Sequence, residues 1–193
     1  PQLGRDAVVA ASAIVMNLQS VVSRRIDSLE SMVITVGKIE GGSNYNVVSG
    51  EATLNGTVRT FSHEIQAQAP VLMREVIENT AKAFGCTAEL KYLKKTGPVI
   101  HDDKKMIALA EHAAAELYGK EILRVTKPTG VGDDFAYFME KAPGIYATIG
   151  AANEKIAKVY PHHHAKVVFD ETSMERGTAM FVQMAVDYLN SSQ

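Results

Sequence analysis

Three adjacent histidines, His162, His163 and His164, stand in the interior of the chain within VYPHHHAKVVFD, residues 159–170. Neutral imidazole is the commonest side-chain metal donor, and this run lies in a predicted loop between an apolar segment and a helix, where ligands are often presented. Successive side chains in extended backbone point in different directions, so at most one or two of the three can meet the same ion. Without context, such residues are as well explained by solvation at the surface. A lone histidine also cannot hold a catalytic metal, because such sites take about three protein ligands per ion. Other familiar chemistry is missing. The sequence has no Walker loop, no dinucleotide-binding glycine fingerprint after a strand and no Cys-x-x-Cys pair, and HEIQA at His63 lacks the second histidine of His-Glu-x-x-His. The glycines of GVGDDF, residues 130–135, read as a tight turn rather than as a nucleotide site.

Ordinary globular elements must position these residues. The chain has 193 residues, 46% hydrophobic and 22% charged, with a net charge of −2, which argues against disorder. Basic residues are scattered, with Lys91, Lys94 and Lys95 the densest group, so the footprint of a nucleic-acid binder is missing. No apolar run approaches the roughly 20 residues that span a bilayer, and no signal segment opens the chain. A single cysteine, Cys86, fits a reducing compartment. The expectation is a soluble, cytoplasmic protein with no nucleic-acid or membrane partner.

DAVVAASAIVMNLQSVVSRR predicts a helix capped by Asp6, with Val9, Ala13, Met16 and Leu18 to Val22 on its apolar side. Residues 31–42, SMVITVGKIEGG, predict a strand. A second strand, GEATLNGTVRTF at 50–61, alternates Ala52, Leu54 and Val58 with Thr53, Asn55, Thr57 and Arg59. From Ser62 a helix runs through Ile65, Ala69, Met73, Ile77 and Phe84 to Gly85, with Pro70 kinking it or delaying its start. TAELKYLKK, residues 87–95, alternates as a third strand. The order α, β, β, α, β needs one strand before Pro1 to complete the βαββαβ pattern of a ferredoxin-like domain. Beyond it the pattern predicts another unit. Its parts are a helix capped by Asp102 or Asp103 and closed by Gly119, a short helix ending before Pro143, a buried strand IYATIGAA at 145–152, the histidine loop and a final helix. That last helix carries Asp170 and Glu171 in its first turn and Met174, Thr178, Phe181, Met184 and Tyr188 along one face.

Five stretches, in this order and spacing, resemble the C-terminal half of an M20-family metal-dependent amidohydrolase. They are PQLGRDAVVAA (1–11), NVVSGEATLNGTVRTF (46–61), GVGDDFAYF (130–138), PGIYATIGAANE (143–154) and YPHHHAKVVFDE (160–171). The subgroup is that of N-acyl amino acid amidohydrolases, hippurate hydrolases and auxin-conjugate hydrolases. The resemblance implies an α+β fold: a ferredoxin-like lid and dimerisation domain at 1–97, its first strand missing, followed at 98–193 by the C-terminal α/β part of a zinc-exopeptidase-like catalytic domain. It implies hydrolysis of the amide bond of N-acyl amino acids, hippurate-like or N-acetyl, by a homodimer joined through the lid domain and carrying two divalent metal ions, zinc or manganese.

In the family the loop runs Leu-His-x-Pro and its first histidine binds metal, which places the ligand at His163. Ala165 replaces the usual Pro, and a slip of one residue would move the role to His162 or His164. Arg59 matches an arginine that holds the substrate carboxylate, a task suited to the two parallel hydrogen bonds of a guanidinium. Asn46 matches an asparagine that contacts the substrate or its oxyanion, often across the dimer. Asp133 and Asp134 stand for a Glu-Asp pair, the first shortened. The catalytic residues and remaining ligands would precede Pro1. No catalytic residue is therefore assigned here, and the chain is expected to be inactive without the missing N-terminal half of the catalytic domain. The alternative is a self-standing, non-catalytic dimerisation or binding module descended from such an enzyme.

Overall fold

The computed structural model describes residues 1–100, 103–124, 130 and 132–191. The chain divides into two compact units, Pro1–Ile100 with Thr129–Tyr137, and His101–Pro128 with Phe138–Gln193.

In the first unit, helix α1 (Ala7–Ser20) starts at Asp6, whose carboxylate accepts from the Val8 and Val9 N–H groups at 3.0 and 3.1 Å, and passes into a π-helical turn, Val21–Arg25. Its buried face is Ala10, Ala11, Ile14, Leu18 and Val21. Met16, expected inside, is 71% exposed, and Val9 is exposed as well. A helix apolar on nearly every side has no face dictated by its own period, so its neighbours choose. Ala7–Arg25 is in fact long and apolar enough to cross a membrane by length and composition, which corrects the expectation of no such run. Here it packs as a core helix, with the Asn17 side chain donating to Thr80 Oγ1 at 3.0 Å.

Strands β1 (Met32–Gly41) and β2 (Ala52–Thr60) form an antiparallel hairpin from Met32↔Thr60 to Gly41↔Ala52, with a bulge between Val36 and Lys38. The bulge presses the Thr35 carbonyl onto Gly56, where a Cβ would have no room. Helix α2 (His63–Ala83) is capped by the Ser62 hydroxyl, runs through Pro70 without breaking, and gives way to Gly85 at φ +68°. Ile14, Leu18 and Val21 of the first helical run meet Met32, Ile34, Ile65, Ala69, Met73 and Ile77 in the core.

Residues 87–95 correct the expected third strand. Ala88, Leu90 and Tyr92 do pack inward against the core, yet the segment joins no ladder among the described residues. Alternation fixes which side chains face inward, whereas a strand also needs a paired neighbour. Just beyond this segment, β3 (Gly97–Pro98) makes a two-residue antiparallel pairing with β4 (Gly132–Asp133).

In the second unit, helix α3 (Lys104–Tyr118) is capped by Asp103, which accepts from Lys105 and Met106 N–H, and closes at Gly119 with φ +85°. Asp102, the other expected cap, lies outside the described residues. The chain enters this unit again through the short helix α4 (Phe135–Met139), at whose start Asp133 accepts from the Phe135 N–H at 2.9 Å. Helix α5 (Thr172–Ser191) is capped by Asp170 and packs on α3, where Ala110, Ala113, Ala114 and Gly177 are buried. The expected inner face of α5 is not the one used. Phe181 is 78% exposed, and Met174 and Tyr188 are exposed too. Gly177 is buried by Ile149, whose Cδ1 would lie 2.9 Å from a Cβ at that position, so this helix leaves its larger side chains outside. IYATIGAA is no strand either. It joins no ladder among the described residues, although the Ala151 carbonyl accepts the Asp170 N–H at 2.8 Å, and Ala147 to Gly150 are exposed.

Candidate functional site

The histidine run forms a turn in the second unit. The His164 N–H donates to the Pro161 carbonyl at 3.1 Å, and His163, third in the turn, has φ +68°. That position favours glycine or asparagine, and holding a bulkier residue there costs about 1–3 kcal/mol. All three histidines are exposed. The ring of His163 stacks on that of His162, with centroids 4.3 Å apart, and His162 in turn meets Phe169 edge-on. His164 stacks on Tyr160, and its Nδ1 accepts the Lys166 N–H at 3.0 Å. A neutral imidazole has one free lone pair, so His164 could bind metal only by giving up that bond. His162 and His163 carry no such commitment. Among the described residues no group of three or more His, Cys, Asp and Glu side chains is placed to hold a metal ion. These residues do not make a metal site by themselves.

The first unit carries Arg59 and Asn46. Arg59 leaves the exposed face of β2 opposite Val33 and lines a shallow surface cleft with Gln66, Tyr92, Thr96 and Gly132. Burial raises the Tyr92 phenol above its ordinary range. Among the described residues no ion pair or hydrogen bond engages the Arg59 guanidinium. An unpaired guanidinium beside a hydroxyl and an amide suits a planar anion such as a carboxylate. Asn46 lies at the other end of the hairpin, in a tip turn closed by the Val47 N–H on the Asn44 carbonyl. Arg59 lies seven residue steps along the strand from Ala52, so the two side chains are on the order of 20 Å apart within one chain. Nothing in the order of the motifs hints at that separation. That order also misses Gly132 and Thr96, which come to Arg59 from remote positions; the doubled glycine of GVGDDF was their only visible signal.

The chain belongs to peptidase family M20/M25/M40, whose sequence pattern matches residues 6–187. It is 33% identical over 191 residues to an N-acetylcysteine deacetylase of Bacillus subtilis, covering 99% of this chain and 48% of that protein. It is 34% identical to an IAA-amino acid hydrolase of Arabidopsis thaliana, covering 98% and 43%. Among solved structures, a Bacillus subtilis dinuclear metal binding peptidase of the M20 family superposes with a TM-score of 0.72 at 28% identity, over 96% of this chain and 47% of that one. The chain thus spans about half the length of the curated relatives it matches.

Proposed function

We propose that this chain is part of a metal-dependent amidohydrolase that cleaves N-acyl amino acids, N-acetyl or hippurate-like. Family membership supports hydrolysis, and relatives named for N-acetyl and IAA-conjugated amino acids support the substrate class. The observation that carries the reading to this chain is Arg59, an unpaired guanidinium in a polar cleft. Arg59 holds the carboxylate of the amino-acid half by two parallel hydrogen bonds and so fixes where the amide bond lies. Asn46 donates an amide N–H to the substrate or to the developing oxyanion. Two divalent ions, zinc or manganese, would activate the attacking water, with His163 holding one of them. Residues 1–97 act as a ferredoxin-like lid and dimerisation domain, and 98–193 complete a zinc-exopeptidase-like catalytic domain whose other half lies elsewhere in a longer protein. The chain alone is inactive, since one histidine is too few ligands. A cytoplasmic homodimer fits the free Cys86 and the outer edge of β1, which pairs with no strand among the described residues.

The test is steady-state hydrolysis by the full-length, metal-loaded protein on N-acyl amino acids and their carboxamides. Arg59→Ala should raise KM for the acids by about 10- to 100-fold, as loss of a charge-assisted bidentate contact does, and leave the carboxamides unchanged. A protein that hydrolyses no N-acyl amino acid, or an Arg59→Ala variant with unaltered KM, would overturn the reading.

A further inference from the structure

We infer that Gly132 is a positioning residue for Arg59, acting through the space its missing side chain leaves. The inference rests on the reading of Arg59 as the carboxylate-binding group. Neither Gly130 nor Gly132 has a positive φ; among the described glycines only Gly42, Gly85 and Gly119 do. The turn expected from the doubled glycine therefore does not explain Gly132, and another reason is needed. The pairing of β3 with β4 sets Gly132 opposite Pro98. A Cβ at 132 would fall 2.5 Å from Thr96 Oγ1 and 2.9 Å from Arg59 Nη1, both closer than side-chain carbons approach.

The two neighbours do not yield equally. Thr96 is β-branched and stiff at χ1, and its carbonyl is held by the Gln66 side chain of α2 at 3.0 Å. The guanidinium is the free end of a long side chain without a hydrogen-bond partner among the described residues, so it would be the group to move. A methyl group at 132 thus forces Thr96 to give a little and turns the freer guanidinium away from the place where it now lies. Gly130 makes no such demand. A Cβ there would meet the Arg59 stem at 3.8 and 3.9 Å, an ordinary contact. Gln66, Thr96 and Gly132 form a chain of contacts from α2 to Arg59, and Gly132 is its last link.

The experiment uses the full-length, metal-loaded protein and compares KM with kcat on an N-acetyl amino acid. Gly132→Ala should raise KM by about tenfold and change kcat far less, because a misdirected guanidinium loses its bidentate geometry while the reacting groups stay in place. Gly130→Ala calibrates crowding and should have the smaller effect. In an Arg59→Ala background, Gly132→Ala should add almost nothing, since two residues acting through one contact are not additive. An unchanged KM in Gly132→Ala, or a full effect persisting without Arg59, overturns the inference while leaving the carboxylate reading intact. If Arg59→Ala itself leaves KM unchanged, it is that reading which fails. Should Gly132→Ala fold poorly, Thr96→Ala/Gly132→Ala removes the stiffer clash. Measured against Thr96→Ala alone, it must still raise KM, and failure to do so is equally decisive.

Discussion

His163 combines a strained backbone with a chemically useful side chain. A residue held at positive φ where glycine would be easier gives a reason to test what its side chain does. Replacing it with glycine should therefore separate strain from function. In metal-stripped full-length protein, His163→Gly should melt no lower than wild type, because relief of strain offsets the added chain entropy. After reloading, it should bind about one metal ion fewer per subunit and lose most of its hydrolysis. His162→Gln and His164→Gln settle the register of the loop. With its Nδ1 committed to the Lys166 N–H, His164 should be dispensable for metal content. If metal instead follows His162 or His164, the ligand assignment moves with it.

The helix ends were legible in the sequence, because a cap is a local device. Asp6, Ser62 and Asp103 each accept an N–H of the first turn, and Gly85 and Gly119 take the positive φ that ends a helix. The faces of α1 and α5 were not legible, since both helices are apolar on more than one side and packing decides between sides. Strands at 87–95 and 145–152 failed for a related reason: a ladder belongs to two segments, and a single segment's pattern cannot show whether the other is beside it. The site divides the same way. Residue type and motif order led to His163, Arg59 and Asn46, while the closeness of Gly132 to Arg59 exists only in the fold. Asp170 shows how much one cap can hold. Its carboxyl sits below its ordinary range first because Asn153 donates to it at 2.7 Å, then because the Thr172 hydroxyl and N–H do, with Arg176 adding attraction. A carboxylate with a depressed folded pKa stabilises the fold above its unfolded value and ceases to as pH falls through the folded one. The second unit should accordingly lose stability as pH drops from the ordinary value of 3.8 downward. Asp170→Asn, which caps without titrating, should show a shallower fall in melting temperature between about pH 4 and pH 2 than wild type. Equal slopes would mean that other carboxylates carry the acid limb. In the first unit, Gly56→Ala should destabilise the hairpin by about 1–3 kcal/mol, because the Thr35 carbonyl occupies the space a methyl needs. Urea unfolding would measure it.

The distance between Arg59 and Asn46 constrains how the whole molecule can work. They sit at opposite ends of one hairpin, on the order of 20 Å apart, farther than a small N-acyl amino acid reaches. If one substrate touches both, it takes Arg59 from one copy and Asn46 from another, and the active unit is at least a dimer. Isologous dimers place two such composite sites about one axis. The consequence can be measured without a structure of the dimer. Full-length Arg59→Ala and Asn46→Ala proteins, each nearly inactive, are unfolded together and refolded as a mixture. Random pairing makes half the dimers mixed, and each mixed dimer has one site with both residues intact and one with neither, so about a quarter of wild-type activity should return. Recovery would establish that Asn46 serves the partner's site. No recovery, with mixed dimers confirmed by differential tagging, would mean that one copy supplies both contacts, and the case for an obligate dimer would then rest on the unpaired edge of β1 alone; an Asn46→Ala protein active by itself would instead mean that Asn46 takes no part.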